Sequence, residues 1–481
     1  MQALQNLIFT LDAITWLSAA GLLHISIAGP SAVHVLMYKD NERAAVSWIG
    51  LILLSPFAGS ALYWLFGINR VKRQAQKVIS RNHGIDLRHD RTSEPRLDIP
   101  SNWQAVVTLG HAVHQADFTI NNMVTPLLNG DEAYTAMLEA IEAAQSYVML
   151  SSYIFVYDQV GRRFVNALVE AHRRGVQVRV LIDGVGIGYS WRKSDRALKK
   201  QGVPTARFLP TISFSASRFI NLRNHRKILS IDGKWAFIGG INISEDNLLL
   251  SSPAHPVQDI HFMVKGPVID QVNQVFTDDW HFAARETLQL AGWSGPGPGT
   301  VTSRILPDGP DANHEKLTWA LIAAINCAQE SIRIVTPYFI PGLVLISVLQ
   351  AASLRGVCVE IIVPQHSNIP FFNWAMLANL PKLTRFGITL YQSPQPFDHS
   401  KFFIVDDVWS FIGSSNWDAR SLELNFEVNL ECYDYEMNRQ LTDIFEGKKA
   451  IASLITEADV ANFSLFQRLR NNVFRLMSPY L

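Results

Sequence analysis

Two short segments of this chain place a histidine and a lysine two residues apart, at His225-Arg226-Lys227 and at His399-Ser400-Lys401. Each is followed by an aspartate five residues after the lysine (Asp232, Asp406), a glycine seven further on (Gly239, Gly413) and an asparagine three beyond that (Asn242, Asn416). A lone His-x-Lys reads as an ordinary surface strand, but the same five-position spacing met twice is a strong signal. Residues i and i+2 of an extended segment share a face, so each copy projects an imidazole and an ammonium together. Histidine, with an ordinary pKa of about 6.5, suits nucleophilic attack and proton transfer near neutral pH. The ammonium can neutralise an anionic oxygen, and the asparagine amide can donate to it. The apolar residues that follow, Ile228, Leu229 and Ile231 in one copy and Phe402 to Val405 in the other, are expected to anchor each segment in a core.

The elements that must position these groups are themselves repeated. Tyr147 to Val156 reads as a strand, Gly161 to Arg174 as a helix and Gly175 to Asp183 as a second strand; Ser331 to Ile340, Val344 to Arg355 and Gly356 to Val363 read the same way. Both copies share Arg-Gly-Val-x-Val, at Arg174 to Val178 and Arg355 to Val359, where glycine fits a helix C-terminal cap leading into a buried parallel strand. Between the copies, Gly292 to Gly299 is too rich in glycine and proline for helix or strand and reads as a linker. The expected organisation is a first half over 105–291, a linker over 292–300 and a second half over 301–481. Each half is a layered α/β unit, and the long period marks domain duplication.

Upstream, no Asp, Glu, Lys or Arg lies between Asp12 and Lys39 or from Ala44 to Asn69. Each run is long enough to span about 30 Å of hydrocarbon, so residues 1–69 are expected to form a membrane hairpin with spans near 13–37 and 45–67. The Gly29-Pro30 step makes the first run the candidate for a kinked or re-entrant path. Without Lys or Arg in residues 1 to 11, a signal peptide is disfavoured. Arg70, Lys72, Arg73, Lys77 and Arg81 open a basic juxtamembrane linker over 70–104, which by the positive-inside rule puts the rest of the chain in the cytosol. The same cations could hold anionic lipid headgroups. Over all 481 residues, 42 Lys+Arg balance 42 Asp+Glu, and nothing in that total calls for nucleic acid. Three scattered cysteines, Cys327, Cys358 and Cys432, show no metal-binding spacing and fit a reducing compartment.

The paired HxKxxxxD pattern with its trailing glycine and asparagine resembles the HKD motif of the phospholipase D superfamily. The membrane hairpin, the basic stretch and two such halves in one chain resemble its bacterial cardiolipin synthase family, as do Ser152-Tyr153-Ile154-Phe155 and Thr336-Pro337-Tyr338-Phe339. The resemblance implies an α/β fold of two duplicated phospholipase D-like sandwich halves sharing one active site, preceded by two transmembrane helices. It carries catalytic roles to His225, Lys227, Asp232, His399, Lys401 and Asp406, and substrate contact to Asn242 and Asn416. It implies a phosphatidyltransferase of the bacterial inner membrane that joins two phosphatidylglycerol molecules into cardiolipin and glycerol through a phosphohistidine. Phosphatidylethanolamine remains open as the second donor, and so does pairing of chains. No metal or other cofactor is called for. A hydrolytic phospholipase D or a nuclease would use the same residues with water as the acceptor.

Each attacking imidazole also needs an acceptor on its other nitrogen. Asp259, 34 residues after His225, and Glu427, 28 after His399, are the candidates, weighed against ordinary surface acids. Asp232 and Asp406 fit bracing of their loops better than contact with substrate. Arg218, Arg223 and Arg226 are candidates for attracting anionic lipid, against a solvated loop. The stretch Phe463 to Met477 reads either as a helix lying on the bilayer or as one packed on its own domain.

Overall fold

The computed structural model describes residues 21–39, 42–67, 99–113, 116–189, 193–209, 222–309 and 316–478. The chain divides into an N-terminal unit, Met1–Gln74, and a larger unit, Ala75–Leu481.

In the N-terminal unit Gly21–Tyr38 is a continuous helix through Gly29 and Pro30. Among the described residues it is the one helix long and apolar enough to cross a membrane. The second apolar run is instead in pieces: a helix over Glu42–Leu54, a break at Ser55, a helix over Pro56–Leu62 and a π-helical turn over Tyr63–Gly67. Pro56 has no N–H to continue the first piece and sits where proline is favoured, at the start of the next. The two runs pack on each other. His34 Nδ1 lies 2.7 Å from the Tyr63 hydroxyl, and the Trp64 indole donates to Ser31 Oγ at 3.0 Å. Residues 13–20 and the cluster Arg70, Lys72, Arg73, Lys77 and Arg81 lie outside the described residues.

The larger unit is built on strands β1 (Thr119–Leu128), β2 (Tyr147–Ser152), β3 (Gln177–Asp183), β4 (Thr205–Phe208), β5 (Ile228–Ile231), β6 (Trp235–Gly239), β7 (Val257–Gln258) and β8 (Ile260–Lys265) in the first half. The second half contributes β9 (Val301–Asp308), β10 (Ser331–Val335), β11 (Phe339–Ile340), β12 (Cys358–Pro364), β13 (Thr389–Ser393), β14 (Phe397–Asp398), β15 (Phe402–Val405), β16 (Trp409–Gly413), β17 (Trp417–Asp418), β18 (Glu427–Tyr433) and β19 (Ser453–Ile455). Fifteen of them form one sheet whose centre is the antiparallel contact of β1 with β9. Outward from that contact the order is β1-β8-β6-β5-β2-β3-β4 on one side and β9-β18-β16-β15-β10-β12-β13-β19 on the other. Apart from the extra edge strand β19, the sides correspond strand for strand, so the duplication is legible as a two-fold relation about the centre.

The shared Arg-Gly-Val turns do the same work in both halves. Helices Gln159–Arg173 and Leu343–Leu354 end on Gly175 (φ +89°) and Gly356 (φ +95°), in the left-handed region that favours glycine. The N–H groups of Val176 and Val357 then close back on Ala171 and Ala352 at 3.1 Å. The Arg174 and Arg355 guanidiniums hold the carbonyls of Ile141 and Ile325, the ends of the preceding helices. Each half has its own apolar core, and a third core straddles them, joining Ile228, Phe262 and Val272 to Phe402, Leu430 and Phe445. This shared core lies where helices Ile269–Ala284 and Tyr435–Ile451 cover the middle of the sheet, directly behind the strands that carry the motifs.

Candidate active site

His225 and His399 each stand three residues before a fully buried strand, β5 and β15, so the motif is held at the strand's entrance rather than within it. Two short parallel pairings stitch those entrances to the opposite half. Asn224 pairs with Phe426, and β14 pairs with β7 in the register Asp398 to Gln258. The His225 N–H donates to Phe426 O at 2.9 Å and the His399 N–H to Gln258 O at 2.7 Å. Each histidine therefore lies beside the acid-bearing segment of the other half.

The consequence is an exchange. His225 Nδ1 is 3.0 Å from Glu427 Oε2, and His399 Nδ1 is 2.7 Å from Asp259 Oδ2. The pairing suggested by counting along the chain, Asp259 with His225 and Glu427 with His399, is crossed in space. A carboxylate on Nδ1 fixes the tautomer with its proton there and leaves Nε2 a bare lone pair. Among the described residues no hydrogen bond engages either Nε2. Both rings line a cavity of about 470 Å³ between the halves, with Asn242 and Asn416 on its wall.

The acids are themselves supported, and differently. Glu427 accepts from Ser414 Oγ at 2.5 Å and from the Asn425 amide at 3.2 Å. At the equivalent of Ser414 stands Gly240, where a Cβ would come 2.4 Å from Asp259 Oδ1. Glycine there leaves Asp259 the room that its contact with His399 requires; the Ile260 N–H holds its other oxygen at 2.8 Å.

The lysines lie behind the rings. Lys227 Nζ donates to its own His225 carbonyl at 2.7 Å, and Lys401 Nζ donates to the His399 carbonyl and approaches His399 Nδ1 at 3.0 Å. That nitrogen cannot donate to Asp259 and accept from Lys401 at once, and the shorter carboxylate contact decides for the Nδ1 proton. Burial brings the ammoniums down to about 7 for Lys227 and about 8 for Lys401, although nearby carboxylates oppose the shift. Burial likewise lowers both imidazoles, His399 to about 4 with Lys401 adding to the shift, and His225 against the pull of Glu427. Burial by itself would raise Asp259 and Glu427, but the adjoining lysines and histidines bring both below the ordinary carboxyl range. The arrangement is thus two imidazoles seated on two carboxylates, with burial favouring the uncharged form of each ring and of each lysine.

Asp232 and Asp406, grouped with the catalytic set on their motif positions, do not line the cavity. Each adopts a positive φ and gathers three backbone N–H groups at the start of the neighbouring strand, β2 or β10: Gln145, Ser146 and Tyr147 on Asp232, and Gln329, Glu330 and Ser331 on Asp406. Arg226 is buried and committed to Asp279 at 2.5 Å and to the Glu427 carbonyl at 2.9 Å, so it is not a lipid-attracting surface cation. Arg223 does line the cavity, and Arg218 lies outside the described residues.

Some cavity residues were not singled out from the motif. Tyr153 sets its ring edge-on to His225 at 5.0 Å, and Tyr338 does so to His399 at 6.4 Å. Their signal was the repeat itself, since Tyr153 follows β2 and Tyr338 follows β10, in the two segments whose sequence resembles the family's. Asp418, whose carboxyl burial pushes up to about 7, and Arg420 also face the cavity, and no spacing rule pointed to them.

This architecture matches known proteins at three levels. The family described as cardiolipin synthase, PLD-like domain, matches residues 137–280 and 321–449, bracketing both motifs, and the phospholipase D-nuclease N-terminal family matches residues 30–67. The chain belongs to the phospholipase D-like cardiolipin synthase family. It is 31% identical over 466 residues to the major cardiolipin synthase of Bacillus subtilis, covering 93% of this chain and 96% of that one. A cardiolipin synthase of Geobacillus thermodenitrificans is 30% identical, over 92% of this chain and 90% of its own length. Among solved structures, the phosphatidylserine synthase of Haemophilus influenzae superposes with a TM-score of 0.60 at 14% identity, covering 79% of this chain and 100% of that one, which is a likeness of fold. The family's duplicated α/β fold is therefore present, with both motifs on one cavity.

Proposed function

We propose that this chain is a membrane-bound cardiolipin synthase that transfers a phosphatidyl group from one phosphatidylglycerol to the terminal hydroxyl of another. The observation that carries the reading is the pair of histidines across one cavity, each with Nδ1 seated on a carboxylate from the opposite half. One Nε2 attacks phosphorus and forms an N–P bond as the bond to the glycerol oxygen breaks. The other imidazole, protonated in the substrate complex, gives its proton to that departing oxygen. It then takes the proton from the incoming hydroxyl, whose oxygen bonds to the phosphorus as the N–P bond breaks, freeing the first histidine and completing cardiolipin. The phosphodiester anion itself draws Lys227 and Lys401 from the histidine carbonyls towards its nonbridging oxygens, with Asn242 and Asn416 as amide donors. Asp259 and Glu427 hold the rings and stabilise each imidazolium as it forms.

Two apolar runs at the N-terminus, with the basic cluster from Arg70 to Arg81 after them, support a two-pass anchor with the catalytic unit in the cytosol. A reporter fused after residue 100 and tested for cytosolic activity checks that orientation. The function is tested by expression in a cardiolipin-free host, followed by assay of the purified protein with each donor lipid separately. Cardiolipin and free glycerol from phosphatidylglycerol alone support the transferase. Phosphatidic acid without cardiolipin would move the assignment to a hydrolase. Loss of product in His225→Ala and His399→Ala is expected, and retention of it in either would overturn the two-histidine reading.

A further inference from the structure

The helix Leu465–Leu476 is built with two opposed faces, only one of which the protein uses. Ser464 and Gln467 cap it reciprocally, so it is formed in advance of any partner. Its inner face is fixed by Asn471, which is buried, and by Phe474, whose ring lies 4.8 Å from Trp374 and 6.0 Å from Phe371. Its outer face presents Leu465, Phe466, Leu469, Val473, Leu476 and Met477, of which Leu465, Phe466 and Leu476 are more than 70% exposed. At about 100° per residue these six occupy about a third of the circumference as one stripe. Large apolar residues scattered singly over a surface need no explanation; six in one stripe on a capped helix do.

The charges beside the stripe are all of one sign. Arg468 and Arg475 flank it on one side and Arg470 on the other, and residues 461–478 contain no Asp or Glu. The arginines are held by carbonyl, amide and ring contacts: Arg468 to Phe463 O at 2.9 Å, Arg475 to Asn472 at 3.2 Å, and Arg470 over the Trp374 ring at 4.7 Å. Lys382 and Arg385 on the adjoining segment add two more cations, and Glu457 is the single acid lining the groove beside them. Apolar side chains flanked on both sides by guanidiniums match the boundary of an anionic bilayer, with the stripe among acyl chains and the cations among phosphates.

Position relates this surface to the chemistry. Phe371 and Trp374, which seat the helix, belong to the eight-residue helix Pro370–Leu377. Phe372 of that same helix, with Ile369 and Asn368 just before it, lines the catalytic cavity. Eight helical residues span about 12 Å, so stripe and cavity wall are held on one short rigid element. We propose that the outer face of Leu465–Leu476 seats on an anionic lipid bilayer and presses the cavity mouth against the plane from which the lipid substrate enters. This rests on the proposed lipid-phosphodiester chemistry of the cavity.

The test uses the full-length protein in vesicles of phosphatidylglycerol and phosphatidylethanolamine. A nitroxide is placed at Leu469→Cys, with Arg439→Cys on an outward helix of the same unit as control, both in a Cys358→Ser background. Expected is an oxygen-to-nickel-chelate accessibility ratio at 469 at least threefold above that at 439. Separately, the double change Phe466→Glu and Leu469→Glu should cut cardiolipin formation in vesicles at least tenfold. The same variant should leave turnover of a short-chain phosphatidylglycerol, dissolved as monomers, within twofold of the parent. An aqueous ratio at 469 overturns the inference, as does concentration-dependent spin–spin broadening there, which would assign the stripe to a second copy of the chain. Full vesicle activity in the double variant overturns it too. Failure of the chemistry is distinguishable: His399→Ala would then leave turnover of the monomeric substrate intact, whereas failure of docking leaves that turnover dependent on His399.

Discussion

Replacing Glu427 by glutamine tests the crossed pairing at its most sensitive point. The change keeps size and one acceptor oxygen, which can serve either Ser414 Oγ or the Asn425 amide since these bond different oxygens of Glu427, and it removes the charge that faces His225 Nδ1 at 3.0 Å. A carboxylate and an imidazolium with charge centres about 4 Å apart, at an effective dielectric of about 20, attract by about 4 kcal/mol. That stabilisation exists only when His225 is positively charged, as imidazolium or as phosphohistidine, so its loss falls on the barrier and not on substrate binding. The expected effect is a fall in kcat of about a thousandfold, with KM for phosphatidylglycerol within about threefold of the parent. Conversion of radiolabelled phosphatidylglycerol to cardiolipin in mixed micelles measures both constants. A fall in kcat below tenfold, or a loss carried by KM, would refute the assignment of Glu427 as the group that positions and stabilises His225.

Three further outcomes follow from neighbouring geometry. Gly240→Ala puts a methyl 2.4 Å from Asp259 Oδ1 and should lever that carboxylate off His399, lowering kcat about 10- to 100-fold while Ser414→Gly acts only on the other histidine; phosphohistidine trapped by a denaturant quench at alkaline pH, where the N–P bond survives, reads which histidine is affected in each variant. Asp232→Ala removes the acceptor for three N–H groups at 2.8 Å and should cost about 2 kcal/mol in denaturant unfolding, with Asp232→Asn intermediate because asparagine tolerates the positive φ. His261, buried beside Gly239 and held down to about 4 by burial, binds its proton more readily when unfolded. Stability is therefore lost as pH falls from about 6.5 towards 4, and His261→Asn, which copies Asn429 at the equivalent place, should lose about 2 kcal/mol less than the parent between pH 8 and 5; thermal unfolding at the two pH values checks the difference.

The parts of this molecule that were legible in the sequence are those set by local spacing. The two motifs, the Arg-Gly-Val caps and the apolar runs after each lysine depend on neighbours along the chain, and the structure places them in matching positions of matching strands. The exchange of acids between the histidines had no such signal, because it is created by the pairing of Asn224 with Phe426 and of Asp398 with Gln258, contacts between residues far apart in sequence. The single continuous sheet was equally hidden, since the contact of β1 with β9 carries a register shift between Thr119 and Asn122 and no pattern that names its partner. At the N-terminus composition was a fair guide to apolarity and a poor one to continuity. Gly29 and Pro30 sit inside an unbroken helix, and the break falls at Ser55 and Pro56 instead.

The crossed acids also bear on how the two copies of an ancestral unit could have drifted apart. With both histidines on one cavity, neither copy could fail alone even if it carried its own acid, and the crossing makes that dependence direct. Here each copy holds the other's instrument: damage to Asp259 disables the ring on the far side, and a slack Ser414 loosens a neighbour's histidine through a borrowed carboxylate. Neither copy is a spare. The duplicate can vary in its edges, its loops and its lipid-facing helix, while the four residues at the crossing must change together or not at all.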